Sequence, residues 1–448
     1  MRRFKGVTLM RSLESRPSVD VFSTMPAQGF SGGRYHALML CAALSNRGYA
    51  VTLFSNNIPR MWDELVASFS GQLELSSLRI RTDAQPITPR RYGRRPDITI
   101  CVPDINTTSP VFRSAIDHSS MFRSSLVLLN FESPSWFNKT ASTARAESLW
   151  SGWMKVAKSA DVIMSSVDLG SQYAAVDYKV RATTRFGKVS PPINSVAISR
   201  VPKQERVRGS IFVATRLTGG GHKGFSTLSK VLPQVKNLRH LIIMVDSPED
   251  AAVVSLRSTL ENNNVEVEVK TAIPEREKFV TYARAEVTLF PSTFEGFGYP
   301  PIESLAMGTP CAVRDLEVYH ETTGSDVIRL PADVDKWPEA LDRALAEISE
   351  HLAAAEARSH HYRSAYSFEA TASMFESEFA EYVHRQPSPG YTSIVRSLAA
   401  RFSAFIRTSR RPLRRTSRRP LRQIIGRLFW DTKRWVFQKL FGRSTWSP

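Results

Sequence analysis

The sequence predicts two doubly wound α/β domains in tandem, followed by a basic helical tail. Three observations predict this. Short apolar strands alternate with helical segments along most of the chain. The alternation restarts after a proline-containing stretch at Pro191–Asn194. The charge changes character after Arg385: Gln386 to Pro448 hold fifteen Lys/Arg and one acid, Asp431, whereas the preceding residues are nearly balanced. At 448 residues and 50.3 kDa the chain exceeds one ordinary core. Its 42% hydrophobic and 23% charged content excludes wholesale disorder. No apolar run reaches the roughly 18 residues that span a bilayer. Arg11 and Glu14 interrupt the N-terminus too early for the apolar core of a secretory leader. Cys41, Cys101 and Cys311 are far apart and odd in number, which fits a reducing compartment and argues against a disulfide scaffold or a zinc cluster.

The first strand is Val19–Ser23. A loop of small residues, Gln28–Gly33, leads into a helix over Arg34–Arg47, with apolar residues at 35, 38, 39, 42 and 43 and a stop at Gly48. Ala50–Phe54 is the next strand. This strand–loop–helix–strand unit builds parallel sheets. Arg79–Arg95 reads as a basic surface loop. Further strands follow at Ile98–Val102, Leu126–Asn130 and Val162–Ser165. Pro191–Asn194 and the charged Arg200–Arg208 read as an interdomain linker. The second set has strands at Ile211–Thr215, His240–Val245, Val265–Val269, Val287–Phe290 and Cys311–Arg314. Its helices are Pro248–Asn262, Glu275–Arg284, Pro301–Met307 and Lys336–Glu350. A last helix, Phe368–His384, carries apolar residues at 371, 375, 379 and 383. The predicted domains are 1–198, 199–367, a returning helix at 368–385, and a tail at 386–448. Ligands are expected at the carboxyl ends of the strands and between the domains.

The tail repeats an octapeptide, Thr408–Arg415 and Thr416–Gln423, whose prolines break any helix through it. In the segment before it, Tyr391, Ile394, Val395, Leu398, Phe402, Phe405 and Ile406 cluster on one helical face. Ile424–Phe441, after it, is aromatic and basic. An anionic membrane surface suits 391–441. Nucleic-acid binding is the competing and less favoured reading. A solvated extension stands between the two.

The strongest chemical signal is Phe294-Glu295-Gly296-Phe297-Gly298-Tyr299-Pro300-Pro301-Ile302-Glu303, between a strand and a helix. Gly296 and Gly298 admit close backbone approach to a ligand. The helix start offers amides and a positive dipole end to a phosphate, and its prolines fit there. Glu295 and Glu303 can accept from hydroxyls in the same cleft. Phosphate and polyol side by side describe a nucleotide sugar; the alternative is a Gly/Pro turn with two solvated glutamates. Arg216 ends a strand, and Lys223 opens the next helix after Gly219-Gly220-Gly221-His222. Two cations there can neutralise a diphosphate and its departing charge. Arg-x6-Lys by itself reads sooner as a solvated charge pair, and its place after the first strand of the second domain favours the diphosphate. His222 either touches that diphosphate or is a solvated loop histidine. The loop ending in Gly32-Gly33 does not match a dinucleotide fingerprint; it receives a phosphate or an acceptor, or allows tight packing. The expectation is a chain with no Asp-x-Asp metal motif anywhere along it, and therefore a metal-independent reaction.

These residues resemble the donor-binding half of GT-B glycosyltransferases, specifically the retaining glycosyltransferase family 4 (glycosyl transferases group 1). Arg216 and Lys223 resemble the family's paired cations, and Glu295 and Glu303 its E-x7-E signature. The likeness covers roughly residues 18–385, sharply in the second domain and diffusely in the first. It implies that Glu295 meets the donor sugar hydroxyls, that Glu303 meets the ribose, and that the backbone of Phe297-Gly298 approaches the sugar or phosphate. It implies Arg216, Lys223 and Glu295 as the catalytic set, with no cofactor beyond the nucleotide-sugar co-substrate. Many relatives carry a histidine near the reacting carbon in the first domain. Here that stretch is Leu129–Pro134, without one; Glu132 takes a polar role near the acceptor or is an ordinary strand-end carboxylate. His118, upstream, reads as a surface histidine.

The resemblance implies retention at the anomeric carbon. The expected activity is hexosyl transfer to a glycan or lipid-linked acceptor in cell-surface polysaccharide or glycolipid synthesis, in the cytoplasm and peripheral to the inner face of the membrane. The alternative is a non-catalytic scaffold of the same shape that binds membrane or nucleic acid through its tail.

Overall fold

The computed structural model describes residues 17–25, 32–58, 62–69, 75–82, 96–215, 217 and 221–384. The tail, Arg216 and the loop residues 26–31 lie outside them.

The first domain runs β1 (Ser18–Phe22), α1 (Gly32–Asn46), β2 (Ala50–Phe54), α2 (Trp62–Phe69), β3 (Leu78–Arg81), β4 (Ile98–Cys101), α3 (Pro110–Phe122), β5 (Ser125–Asn130), α4 (Pro134–Thr140), α5 (Ser151–Ala157), β6 (Val162–Ser165), α6 (Asp168–Asp177) and β7 (Arg185–Lys188). A short helix, α7 (Ser195–Ser199), sits in the connection. The second domain runs β8 (Ser210–Ala214), α8 (Phe225–Val231), β9 (His240–Met244), α9 (Ala251–Asn262), β10 (Glu266–Lys270), α10 (Glu275–Arg284), β11 (Val287–Phe290), α11 (Tyr299–Ala306), β12 (Cys311–Arg314), α12 (Glu317–Thr322), β13 (Ile328–Leu330), α13 (Trp337–Ala346) and α14 (Ile348–Ala365). Helix α15 (Phe368–His384) follows.

Both sheets are parallel. Their orders are β3-β2-β1-β4-β5-β6-β7 and β10-β9-β8-β11-β12-β13. The predicted pair of doubly wound α/β domains is what the chain forms. Strands covered by helices on both faces must be apolar throughout. Ile98, Ile100, Cys101, Leu289 and Val313 are accordingly buried. The strand order reverses between β1 and β4 and again between β8 and β11, and crevices open at such reversals.

Helix α15 crosses back to the first domain. Phe375 and Phe379 are buried in the same cluster as Leu40 and Leu44 of α1, and Arg47 pairs with Glu376 at 3.0 Å. Thr371 Oγ1 donates to the Ser190 carbonyl at 2.9 Å. The domains also meet through rings: Phe294 lies 4.7 Å from Phe137 and 5.3 Å from Trp136.

Several expectations are corrected. The basic stretch read as a loop from Arg79 begins with an edge strand, β3, paired with β2 from Val51↔Leu78 to Phe54↔Arg81; its arginines alternate with Leu78 and Ile80. The helix expected over Lys336–Glu350 is two helices that meet at Glu347. Within the expected linker, Arg206 is held by the carbonyls of Ala285 and Gly308 at 2.5 and 2.8 Å. His118 is not on the surface. It is fully buried, with Nε2 2.8 Å from Asp20 Oδ2 and ring contacts to Phe22, Phe54 and Phe122. Helical spacing explains this, since 118 shares a face with the buried Val111, Ala115 and Phe122.

Candidate active site between the domains

Lys223 lies between β8 and α8, on the loop that closes the reversal between β8 and β11. The Gly224 N–H donates to the Gly221 carbonyl at 3.0 Å, and Thr215 Oγ1 donates to the Lys223 carbonyl at 3.2 Å. Gly224 has φ 74°, and a Cβ there would stand 2.4 Å from the Pro291 carbonyl oxygen. Only glycine gives both that backbone and that fit. Across the reversal, the β11–α11 loop carries Glu295. Lys223 Nζ donates to Glu295 Oε1 at 2.5 Å. Burial pushes the Glu295 carboxyl up. Lys223's charge and hydrogen bond, aided by Ser292 and His222, outweigh burial and hold it below the usual glutamate range.

The end of that loop caps α11. Gly298 has φ 90°, and a Cβ there would meet the Tyr319 ring at 2.7 Å. Pro300 and Pro301 occupy the first turn, where a missing N–H costs little. Glu303, one turn in, is 3% exposed. Lys278 Nζ donates to its Oε1 at 2.7 Å, and the Tyr282 hydroxyl to its Oε2 at 3.3 Å. Burial raises Glu303. Lys278 and Tyr282 pull it back, Glu275 adds repulsion, and the balance stays above the usual range. The two signature carboxylates are thus held in opposite electrostatic settings.

The remaining predicted residues take distinct places. His222 is buried rather than solvated; its ring meets Phe137 edge-on at 5.6 Å, and its carbonyl accepts from Thr293 N at 2.7 Å. The Phe297 side chain is core, packed on Tyr299 and Tyr366. Gly296 faces the first domain: a Cβ would lie 2.1 Å from the Phe131 carbonyl oxygen. Gly33 meets the same residue, since its Cβ would lie 2.7 Å from the Phe131 ring, whereas Gly32 is exposed with open space around it. Glu132 is not a free strand-end carboxylate. Arg145 holds it at 2.9 Å, and burial keeps it above the usual range despite Arg145 and Lys223. The expectation of a chain without Asp-x-Asp is corrected: Asp333-Val334-Asp335 is one, just after β13. Asp333 caps the turn and Asp335 pairs with Lys230.

Three groups beside the site escaped the sequence reading. Arg145 lies over the Phe137 ring at 3.8 Å. Lys278 and Glu275, read only as part of a helix, stand beside Glu303. Their charge alternation in Glu275-Arg276-Glu277-Lys278 is ordinary for an exposed helix, which hid them. The arrangement can take a polyanion at Lys223 and the head of α11, and hydroxyls at Glu295 and Glu303.

Residues 204–363 match the family described as Glycosyl transferases group 1. An O-antigen chain mannosyltransferase, RfbU of Salmonella typhimurium, is 33% identical over 103 residues, 23% of this chain and 28% of the relative. An MMP alpha-(1->4)-mannosyltransferase of Mycolicibacterium hassiacum is 29% identical over 150 residues, 32% of this chain and 36% of that one. The chain therefore spans about a third or less of the curated relatives it matches. Among solved structures, Anabaena HepE in complex with UDP and glucose superposes with a TM-score of 0.59 at 12% identity, over 82% of this chain and 100% of that one. Sucrose-phosphate synthase from Thermosynechococcus elongatus gives 0.58 at 17%, over 82% and 99%. The chain has the GT-B fold and carries a glycosyl transferases group 1 domain.

Proposed function

We propose that this chain is a retaining glycosyltransferase of family 4 that moves a hexosyl group from a nucleotide-diphosphate sugar to a glycan or lipid-linked acceptor in cell-surface polysaccharide or glycolipid synthesis. The observation that carries the reading is the Lys223–Glu295 pair on the loop before α11, with the buried, Lys278-paired Glu303 one turn into that helix, at the reversal of the second sheet. Lys223, with Arg216, stabilises the departing diphosphate. The acceptor oxygen bonds to the anomeric carbon on the face the diphosphate leaves, the carbon–phosphate oxygen bond breaks, and the acceptor proton passes to the leaving phosphate. The side chains position the reactants and stabilise charge, with no enzyme nucleophile and no metal required. Donor entry has one local cost: the Lys223–Glu295 pair must open so that phosphate and sugar hydroxyls take its two halves. Both curated relatives are mannosyltransferases, which makes GDP-mannose the first donor to test, ahead of UDP-glucose.

A thermal-shift series of the full chain against UDP-, GDP-, ADP- and dTDP-sugars, with and without EDTA, tests this. A donor at a hundred times its Kd stabilises the native state by about 2.7 kcal/mol. The expected result is a rise in Tm with one nucleotide class, unchanged by EDTA. No rise with any donor, in a folded sample, overturns the reading in favour of a scaffold.

Membrane association through residues 391–441 rests on sequence, since they lie outside the described residues. Among the described residues no helix is long and apolar enough to cross a membrane. Each basic residue near an anionic surface contributes about 1 kcal/mol. The chain should therefore float with phosphatidylglycerol vesicles at low salt and lose them when truncated after residue 385. Equal flotation of both forms would reject this role for the tail.

A further inference from the structure

We propose that Lys278 is a partner-exchanging cation that ties donor binding at Glu303 to the contact between the two domains through Glu275. The proposal rests on the reading that Glu303 receives the donor's ribose hydroxyls, and goes beyond it by assigning functions to residues outside the signature.

Both oxygens of Glu303 are already engaged, Oε1 by Lys278 at 2.7 Å and Oε2 by Tyr282 at 3.3 Å. Two vicinal hydroxyls that bind this carboxylate compete with the ammonium for Oε1. The ammonium is only 18% exposed, so once displaced it is best compensated by another anion close by. One is in reach: Glu275 Oε1 lies 3.8 Å from Lys278 Nζ, one turn back on the same helix. A side-chain rotation of Lys278 closes that gap.

Glu275, at the start of α10 in the second domain, bonds to the first domain and to the connection between them. Its Oε1 accepts from the Tyr35 hydroxyl of α1. Its Oε2 accepts from Asn194 Nδ2 at 2.5 Å, and Asn194 caps α7 in the connection between the domains by accepting from Ala197 N at 2.9 Å. Glu275 is 5% exposed, so its hydrogen bonds are made in a poorly screened setting. Tyr35 also packs edge-on against Tyr299, at the first position of α11, with centroids 5.1 Å apart. When Lys278 moves from Glu303 to Glu275, its charge arrives at the oxygen that Tyr35 holds. Donor occupancy is thereby felt at an interdomain hydrogen bond, and closed domains favour the donor in return, as linkage requires. Glu275 and Lys278 are positioning residues here; neither touches the reacting atoms.

A double-mutant cycle separates this role from simple support of the fold. Titration calorimetry would measure the Kd of GDP-mannose and UDP-glucose on the full chain and on Glu275→Gln, Lys278→Met and the double variant, with Lys278→Gln as a second replacement and melting curves to establish folding. Glu275→Gln should weaken binding about tenfold or more, because the displaced ammonium loses its second carboxylate. In either Lys278 background the same change should have little effect, because no ammonium is displaced. Equal losses in both backgrounds, or no loss from Glu275→Gln, overturn the exchange. A wild-type chain that binds neither nucleotide sugar overturns the donor reading itself, and the exchange with it. A second readout is the pH at which binding fails on acidification. Lys278, Glu275, Tyr282, Tyr299 and Tyr35 surround the Glu303 carboxyl; removing the one cation among them should move that failure to higher pH. An unmoved profile in Lys278→Met also counts against the exchange.

Discussion

Replacing Lys223 with alanine should lower kcat by roughly two to three orders of magnitude, the range seen when one preorganised charge-stabilising group is removed from an active site. The loss has two sources. On the proposed mechanism the departing diphosphate loses a cation, and Glu295 loses the ammonium 2.5 Å away that offsets its burial. In the folded protein Glu295 is held below the usual glutamate range, so it stays ionised as the pH falls toward ordinary carboxylate values. Without Lys223, burial acts unopposed by its main partner. The pKa rises, and the remaining activity should fall away at higher pH than in the wild type. A pH–rate profile beside a circular dichroism spectrum checks both parts. Near-normal turnover in a folded Lys223→Ala protein would remove Lys223 from the mechanism.

The second large effect is on stability and lies far from the chemistry. Asp20 and His118 are both fully exclude from solvent and 2.8 Å apart, within the rings of Phe22, Phe54 and Phe122. Breaking a buried pair leaves one partner without its charge or hydrogen-bond complement, at a cost of about 3–5 kcal/mol. Asp20→Ala and His118→Ala should each lower the unfolding free energy by an amount in that range, read from denaturant titrations. Replacing both by leucine should recover much of the loss, since an apolar pair of similar volume removes the desolvation penalty. A double variant no better than the singles would show that the pair supports the fold by more than mutual compensation.

How far the sequence could be read follows from where its signals are local. Val162–Ser165, Val287–Phe290 and Cys311–Arg314 fall where apolar runs placed them, because strands buried on both faces leave an uninterrupted apolar stretch. Helix α10 begins after Pro274 and α15 after Ser367, where local stop and start chemistry is strong. Strands β3, β7 and β13 were missed. They are short and rich in Arg or Lys at 79, 81, 185, 188 and 329, and only a neighbouring strand makes them strands. At the site, Lys223, Glu295 and Glu303 were legible because glycines and prolines mark their loops. Glu275, Lys278 and Arg145 were not, because what singles them out is who stands opposite after the chain has crossed between domains. His118 shows the same division: its buried face was written in the helical spacing, but its partner Asp20 lies 98 residues away.

Helix α15 has a consequence for the order of events on the ribosome. The sheet of the first domain is complete in sequence by Lys188, yet Leu40 and Leu44 of α1 are covered by Phe375 and Phe379. At translation rates of roughly 5–20 residues per second, the intervening stretch takes about 10–40 s to synthesise. During that time the nascent first domain presents an apolar helix face that its own chain cannot yet cover. The domain that emerges first is therefore the one that finishes last, and its unshielded interval is set by the length of its partner.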